Sequence, residues 1–273
     1  KKGWKVYWRT PGDAGFPPRM DWTRSANLAE LKFNWPAPTR FEVLGFQTLG
    51  YKNEVVFPIT ATVEDPNQPL ELRAKLGYLI CDDVCIPYQT ELSLGLPTGN
   101  GGATDHFQLI NKFTDQVPGD GASHGLTIEK VETAGAFNKV GKSARKGTIR
   151  VVATSAVPFK KPDIFVEGPE LAFFSPPDVT LENGRKRAVL ILTASEEEDT
   201  KIQDATLTLT LVDDGRAATQ THPVVAGPPL SASPSPLPVS LPLILTLAVI
   251  GGLILNLMPC VLPVLSLKVL GFV

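Results

Sequence analysis

Cys81 and Cys85 lie in the stretch "GYLICDDVCIPYQTEL", Gly77 to Leu92, separated by Asp82, Asp83 and Val84. Three chemistries fit two cysteines at this spacing: a structural staple, a metal site, or a redox couple. If the flanking segments pair as strands, the cysteines face each other across a three-residue loop, and a disulfide is geometrically easy. As a staple such a bond has little value, because closing about five residues gives only about 2 kcal/mol in the chain-entropy model. A metal site would need further ligands; Asp82 and Asp83 are adjacent, but Zn or Cu(I) would recruit another Cys, His or Met. His106 is the nearest histidine, and both methionines are distant in sequence. In an exported domain a close cysteine pair is often simply a structural disulfide, and the spacing alone leaves the staple ahead of the redox couple. The two aspartates disfavour a neighbouring thiolate, so the reduced pair is expected to be a poor nucleophile until a partner docks.

The third cysteine, Cys260, sits between Pro259 and Pro263 in "NLMPCVLPVLSLK". Around it, Leu241 to Leu267 is apolar almost throughout, and about 20 such residues span a bilayer. Two prolines four residues apart break the hydrogen bonding of a membrane helix and are tolerated where the backbone is buried in protein or lines a cavity. A cysteine in such a break is placed for chemistry, although a buried cysteine also serves as a small apolar residue. Residues 241–273 therefore read as one transmembrane helix, the start of a larger membrane domain.

The elements that must position Cys81 and Cys85 read as strands. In "PLELRAKLGY", Leu70, Leu72, Ala74, Leu76 and Tyr78 alternate with Glu71, Arg73 and Lys75; in "TELSLGL", Leu92, Leu94 and Leu96 share one side. Both patterns predict half-buried strands joined by the cysteine loop. With 25 prolines and 23 glycines in 273 residues, short strands and turns are favoured over long helices. Strand candidates continue in "GTIRVVATS", "DIFVEG", "RAVLILTAS" and "ATLTLTLV", with turn signals at Asn183-Gly184 and Asp213-Asp214-Gly215. The expected fold is all-β: two immunoglobulin-like β-sandwich domains in series, residues 1–118 and 119–226, then a Pro/Ser-rich linker at 227–240 and the transmembrane helix. With a net charge of -2 and no long basic run, nothing favours a nucleic-acid partner and none is expected.

"GLILNLMPCVLPVLSLKVLGF" resembles the first transmembrane helix of the DsbD/CcdA family of membrane thiol-electron transporters, with its proline-flanked cysteine. "GWKVYWRTPGDAGFPPRMDW" and "GYLICDDVCIPY" resemble the periplasmic N-terminal region of the ScsB branch of that family, suppressor of copper sensitivity. The resemblance implies a protein-disulfide reductase in the bacterial inner membrane, its soluble domains in the periplasm. Reducing equivalents would pass from a membrane cysteine pair through a thioredoxin-like domain to the N-terminal domain, and then to a periplasmic thioredoxin-fold or disulfide-isomerase-like acceptor. Cys260 would match one membrane cysteine and Cys81 and Cys85 the N-terminal couple, with Cys85 taking the mixed disulfide. No cofactor is implied. The family pattern has a wider cysteine spacing and an aromatic cap over the pair, for which Phe46, Tyr51, Tyr78 and Tyr88 are candidates here.

The remaining signals are weaker. Trp4, Trp8, Trp22 and Trp35 all fall in the first 35 residues and read as core, with a docking surface as the alternative. "ASEEEDTK" and "GKSARKG" read as solvated loops, and His106, His124 and His222 are too scattered for a triad or metal cluster. Two rivals to a thiol relay remain: a copper-binding module using the same cysteines, and a stapled sandwich that only recruits partners.

Overall fold

The computed structural model describes residues 2–99, 101–197, 200–230, 245, 246 and 248–252. Residues Lys1–Pro229 form one compact unit and Leu230–Val273 a second. In the first part of the chain the strands are β1 (Lys5–Gly12), β2 (Arg19–Asp21), β3 (Leu28–Phe33), β4 (Thr39–Val43), β5 (Phe46–Lys52), β6 (Ile59–Val63), β7 (Leu70–Cys81) and β8 (Cys85–Leu96), followed by helix α1 (Phe107–Thr114). Further on come β9 (Leu126–Ala134), β10 (Asn138–Val140), β11 (Ala144–Ser155), β12 (Pro162–Glu167), β13 (Ala172–Phe174), β14 (Asp178–Glu182), β15 (Arg187–Glu197), β16 (Thr206–Asp213) and β17 (Arg216–Gly227). Mostly-β architecture is thus as the turn-rich composition predicts.

Six strands make the sheet that carries the cysteines, in the order β2-β7-β1-β5-β4 with β8 on the other side of β7. β3 and β6 form a separate ribbon. The later strands form a second sheet, β12-β16-β17-β9-β11-β15-β13, with β10 on β11 and β14 on β15. β17 pairs antiparallel with β16 up to Pro223 and then parallel with β9 from Val224 to Gly227, so one strand ties the two halves of this sheet together. Its inward residues, including Ile128, Val151, Leu190, Leu192, Leu207 and Leu209, are fully buried in one cluster. Each such side chain contributes about 1.5–3 kcal/mol of hydrophobic stabilisation. The Asp214-Gly215 turn joins β16 to β17 with both residues at positive φ, the geometry of a two-residue hairpin turn that only Gly, Asn and Asp adopt readily.

The two sheets meet through a shared core. Trp8, Leu49 and Tyr51 of the first sheet cluster with Phe165 of β12, and Trp8 and Phe165 approach to 6.1 Å between ring centroids. Two ion pairs flank that contact: Arg9 with Glu167 at 2.6 Å and Arg40 with Asp163 at 3.0 Å. Trp8 is fully buried and the other three tryptophans are partly buried, so these rings serve as core rather than as an exposed docking face.

Three local expectations fail. β7 is half-buried, with Leu70 and Ala74 inward, but β8 is exposed along its whole length, Leu92, Leu94 and Leu96 included. The alternation in β8 is real, but among the described residues no second layer covers its apolar side. In the acidic run, Glu196 is buried at 2% exposure: its carboxylate pairs with Arg145 at 2.5 Å and accepts the backbone N–H of Ile202. That side chain pins the loop after β15 rather than solvating it, and "GKSARKG" is only half loop, since β11 begins at Ala144.

The expected linker and transmembrane helix, residues 227–240 and 241–273, fall largely outside the described residues. Among those described, no helix is long and apolar enough to cross a membrane.

Candidate active site

β7 and β8 form a hairpin in unbroken register from Leu70↔Leu96 to Cys81↔Cys85. The sequence alternation specifies that register, because a one-residue slip would turn the inward leucines of β7 out. Cys81 and Cys85 therefore stand opposite each other at the hairpin mouth, 4.2 Å apart at Cα, and are joined by a disulfide. Asp82, Asp83 and Val84 make the loop, closed by the Asp82 N–H donating to the Val84 carbonyl at 3.0 Å.

The two cysteines differ sharply in surroundings. Cys81 has no exposed surface and packs against Tyr7, Phe41 and Val43, with Leu79 beside them. Cys85, the first residue of the edge strand, is exposed. A nucleophile arriving from solvent can approach Cys85 but not the buried Cys81, and attack at Cys85 Sγ would leave the electron pair of the broken bond on Cys81 Sγ.

Pairing of β1 with β7 places Lys5 opposite Cys81 and brings the Tyr7 side chain to the disulfide. The Tyr7 hydroxyl donates to Cys81 Sγ at 3.0 Å and lies 3.9 Å from Cys85 Sγ. Burial holds the Tyr7 phenol above its ordinary pKa, so it remains a donor at neutral pH. The ring stands 6.4 Å from Phe41 and lies against Gly15, whose positive φ and missing Cβ let the β1–β2 connection pass flat over it. The Lys5 ammonium bonds Asp82 at 3.1 Å. The acidic loop is therefore not a bare negative charge beside the sulfurs, and the expected suppression of the thiolate is partly offset.

None of the four candidate cap aromatics belongs to the cluster around Cys81. Phe46 is exposed at the β4–β5 tip, Tyr51 is buried in the shared core with its hydroxyl bonded to the Pro36 carbonyl, and Tyr78 and Tyr88 stack on each other at 5.7 Å. Tyr7 and Phe41 cover the buried sulfur instead. Nothing in the sequence connected Tyr7 to a cysteine 74 residues away. Among the described residues no group of three or more His, Cys, Asp or Glu side chains could hold a metal ion. Cys260 lies outside the described residues.

The site is thus a β-hairpin disulfide with one buried and one exposed cysteine, set at the edge of a sheet in a mostly-β unit. Residues 1–97 match the family described as Thiol:disulfide interchange protein DsbD, N-terminal, which is an immunoglobulin-like fold and which supports thiol–disulfide interchange as the chemistry of this region. Residues 116–227 match a domain of unknown function, DUF8393. No curated protein matches the chain.

Proposed function

We propose that this chain is the periplasmic exchange region of a DsbD-family membrane electron transporter of the ScsB-like branch. A thioredoxin-like domain reduces the Cys81–Cys85 disulfide, and the resulting dithiol reduces oxidised thioredoxin-fold or disulfide-isomerase-like proteins of the periplasm. The reading rests on one observation above the others: the accessible Cys85 and buried Cys81 stand at a hairpin mouth within the region matched to the DsbD N-terminal family.

In the forward step a donor thiolate attacks Cys85 Sγ, forming a mixed disulfide and releasing Cys81 as a thiolate. The donor's second thiol then attacks its own sulfur in the mixed disulfide and releases Cys85. Two electrons enter the pair, two protons are taken up from solvent, and the donor leaves as a disulfide. The same steps in reverse reduce the acceptor.

In this reading residues 1–118 carry the exchange site, and residues 119–226 form a second domain that braces it through the Trp8–Phe165 contact. Residues 227–240 are the linker, and 241–273 with Cys260 belong to the membrane domain. No observation favours copper binding by the same cysteines.

The experiment is the equilibrium reduction potential of Cys81–Cys85 in glutathione buffers. A value in the exchange range, about -270 to -200 mV, is expected; a value well below about -300 mV is that of a resistant structural bond and overturns the proposal.

A further inference from the structure

Tyr7 is buried to 1% exposure, and its hydroxyl spends its hydrogen bond on Cys81 Sγ. Sulfur in a disulfide is a weak acceptor, so a phenol taken out of water gains little from it in the oxidised state. The arrangement gains value in the state where that sulfur carries charge.

That state arises during exchange. When a partner thiolate attacks the accessible Cys85 Sγ, the new S–S bond forms there and the old one breaks, leaving its electron pair on Cys81 Sγ. The negative charge appears in a pocket otherwise walled by Phe41, Val43 and Leu79. Desolvation there raises the thiol pKa, and a high-pKa thiol is a slow leaving group. The nearby charged groups do not replace the phenol. Lys5 on β1 is held by Asp82, Asp83 of the loop is itself negative, and Lys52 on β5 lies over the Phe41 ring, 5.8 Å from its centroid.

We propose that Tyr7 is a catalytic residue, whose hydroxyl donates a hydrogen bond to the Cys81 thiolate as it leaves and so sets both the rate and the direction of exchange. The phenol keeps its proton throughout. Cys81 takes its own proton from solvent later, and no further reactant is needed. Gly15 is the positioning residue for the ring, because a side chain added at Gly15 would occupy the volume of the Tyr7 ring. The inference rests on the exchange reading of the same disulfide and names the group that makes it work.

The test uses the purified full chain, with dithiothreitol as reductant. Tyr7→Phe keeps the ring and removes only the hydroxyl, and its thermal midpoint is measured alongside. The second-order rate constant of disulfide reduction is expected to fall about tenfold to a hundredfold, the worth of a hydrogen bond to a charged group. In a Cys85→Ser background, thiolate absorbance followed from about pH 6 to 10 reports the pKa of Cys81, which is expected to rise by about one pH unit or more on adding Tyr7→Phe. Gly15→Ala, which displaces the ring, is expected to move the rate and the pKa in the same directions. Unchanged rate and unchanged pKa in Tyr7→Phe overturn the role of Tyr7 while leaving the exchange reading intact. A wild-type disulfide that dithiothreitol fails to reduce overturns both.

Discussion

Reducing the Cys81–Cys85 bond should cost the folded protein little. The disulfide closes a loop of about five residues, and the chain-entropy relation gives about 2 kcal/mol for that length. The structure lowers even this figure. β7 and β8 are paired over 12 residues each, and the loop is closed by the hydrogen bond from Asp82 to Val84. The hairpin therefore holds Cys81 opposite Cys85 whether or not the sulfurs are joined. For a unit of this size about 2 kcal/mol corresponds to a fall of about 4–8 °C in the unfolding midpoint, an upper limit for the reduced protein.

The same quantity appears in a second measurement, because folding and oxidation are linked. A bond that stabilises the fold by about 2 kcal/mol is about 45 mV harder to reduce than the same pair in an unfolded chain. Denaturant unfolding of the oxidised and reduced proteins gives the first number, and redox titration in water and in denaturant gives the second. Agreement at or below these values means a bond retained for exchange. A stability loss above about 4 kcal/mol on reduction, with a matching shift in potential, would refute the reasoning and make the hairpin depend on its staple.

Further expectations follow from the same geometry. In Cys81→Ser the remaining Cys85 should trap mixed disulfides with an oxidised thioredoxin-fold protein, whereas in Cys85→Ser the buried Cys81 should react far more slowly with the same protein; equal trapping on a non-reducing gel contradicts the assigned direction. Leu190→Ala, which empties a fully buried site, should cost about 3 kcal/mol, whereas Leu94→Ser on the exposed β8 should stay within about 0.5 kcal/mol; denaturant midpoints decide both. Burial alone would raise the Glu132 carboxyl, but hydrogen bonds and charge from Lys130 and Arg150 outweigh it and hold its pKa below the usual range. The unfolded chain then binds the proton more tightly, so the stabilisation is complete above the unfolded pKa and is lost as pH falls through the lower folded value. Glu132→Gln should flatten that acid limb of the stability curve, and a limb unchanged in the variant would show that other groups produce it.

The hairpin and its redox loop were legible because their signals are local. Alternation in "PLELRAKLGY" and "TELSLGL" places both strands, and three intervening residues place the cysteines face to face. Asn183-Gly184 and Asp214-Gly215 likewise mark turns, since their positive φ values narrow the choice of residue. What the sequence concealed depends on contacts between distant segments. Whether an apolar stripe is covered depends on what lies opposite it, so Leu92, Leu94 and Leu96 could be assigned a face but not a neighbour. Glu196 reads as a surface charge until Arg145 and the Ile202 amide converge on it. Tyr7 comes to the sulfur only through the pairing of β1 with the far end of β7.

That pairing also explains why a sheet is a suitable carrier for this chemistry. A dithiol that must exchange with partners, yet resist random oxidants, needs one sulfur within reach and one withheld. An edge hairpin supplies both, because its outer strand faces solvent while its inner strand is flanked by strands on both sides. Cys85 opens the outer strand and Cys81 ends the inner one, where β1 adds Tyr7 and Lys5 beside it. β1 is in turn anchored by Trp8 against Phe165 and by Arg9 against Glu167. The later sheet thus fixes the strand that carries the phenol to the sulfur. If that bracing matters, Phe165→Ala should slow exchange at Cys85 without altering any group that touches it, and an unchanged reduction rate in a folded Phe165→Ala protein would show that the two sheets are only neighbours.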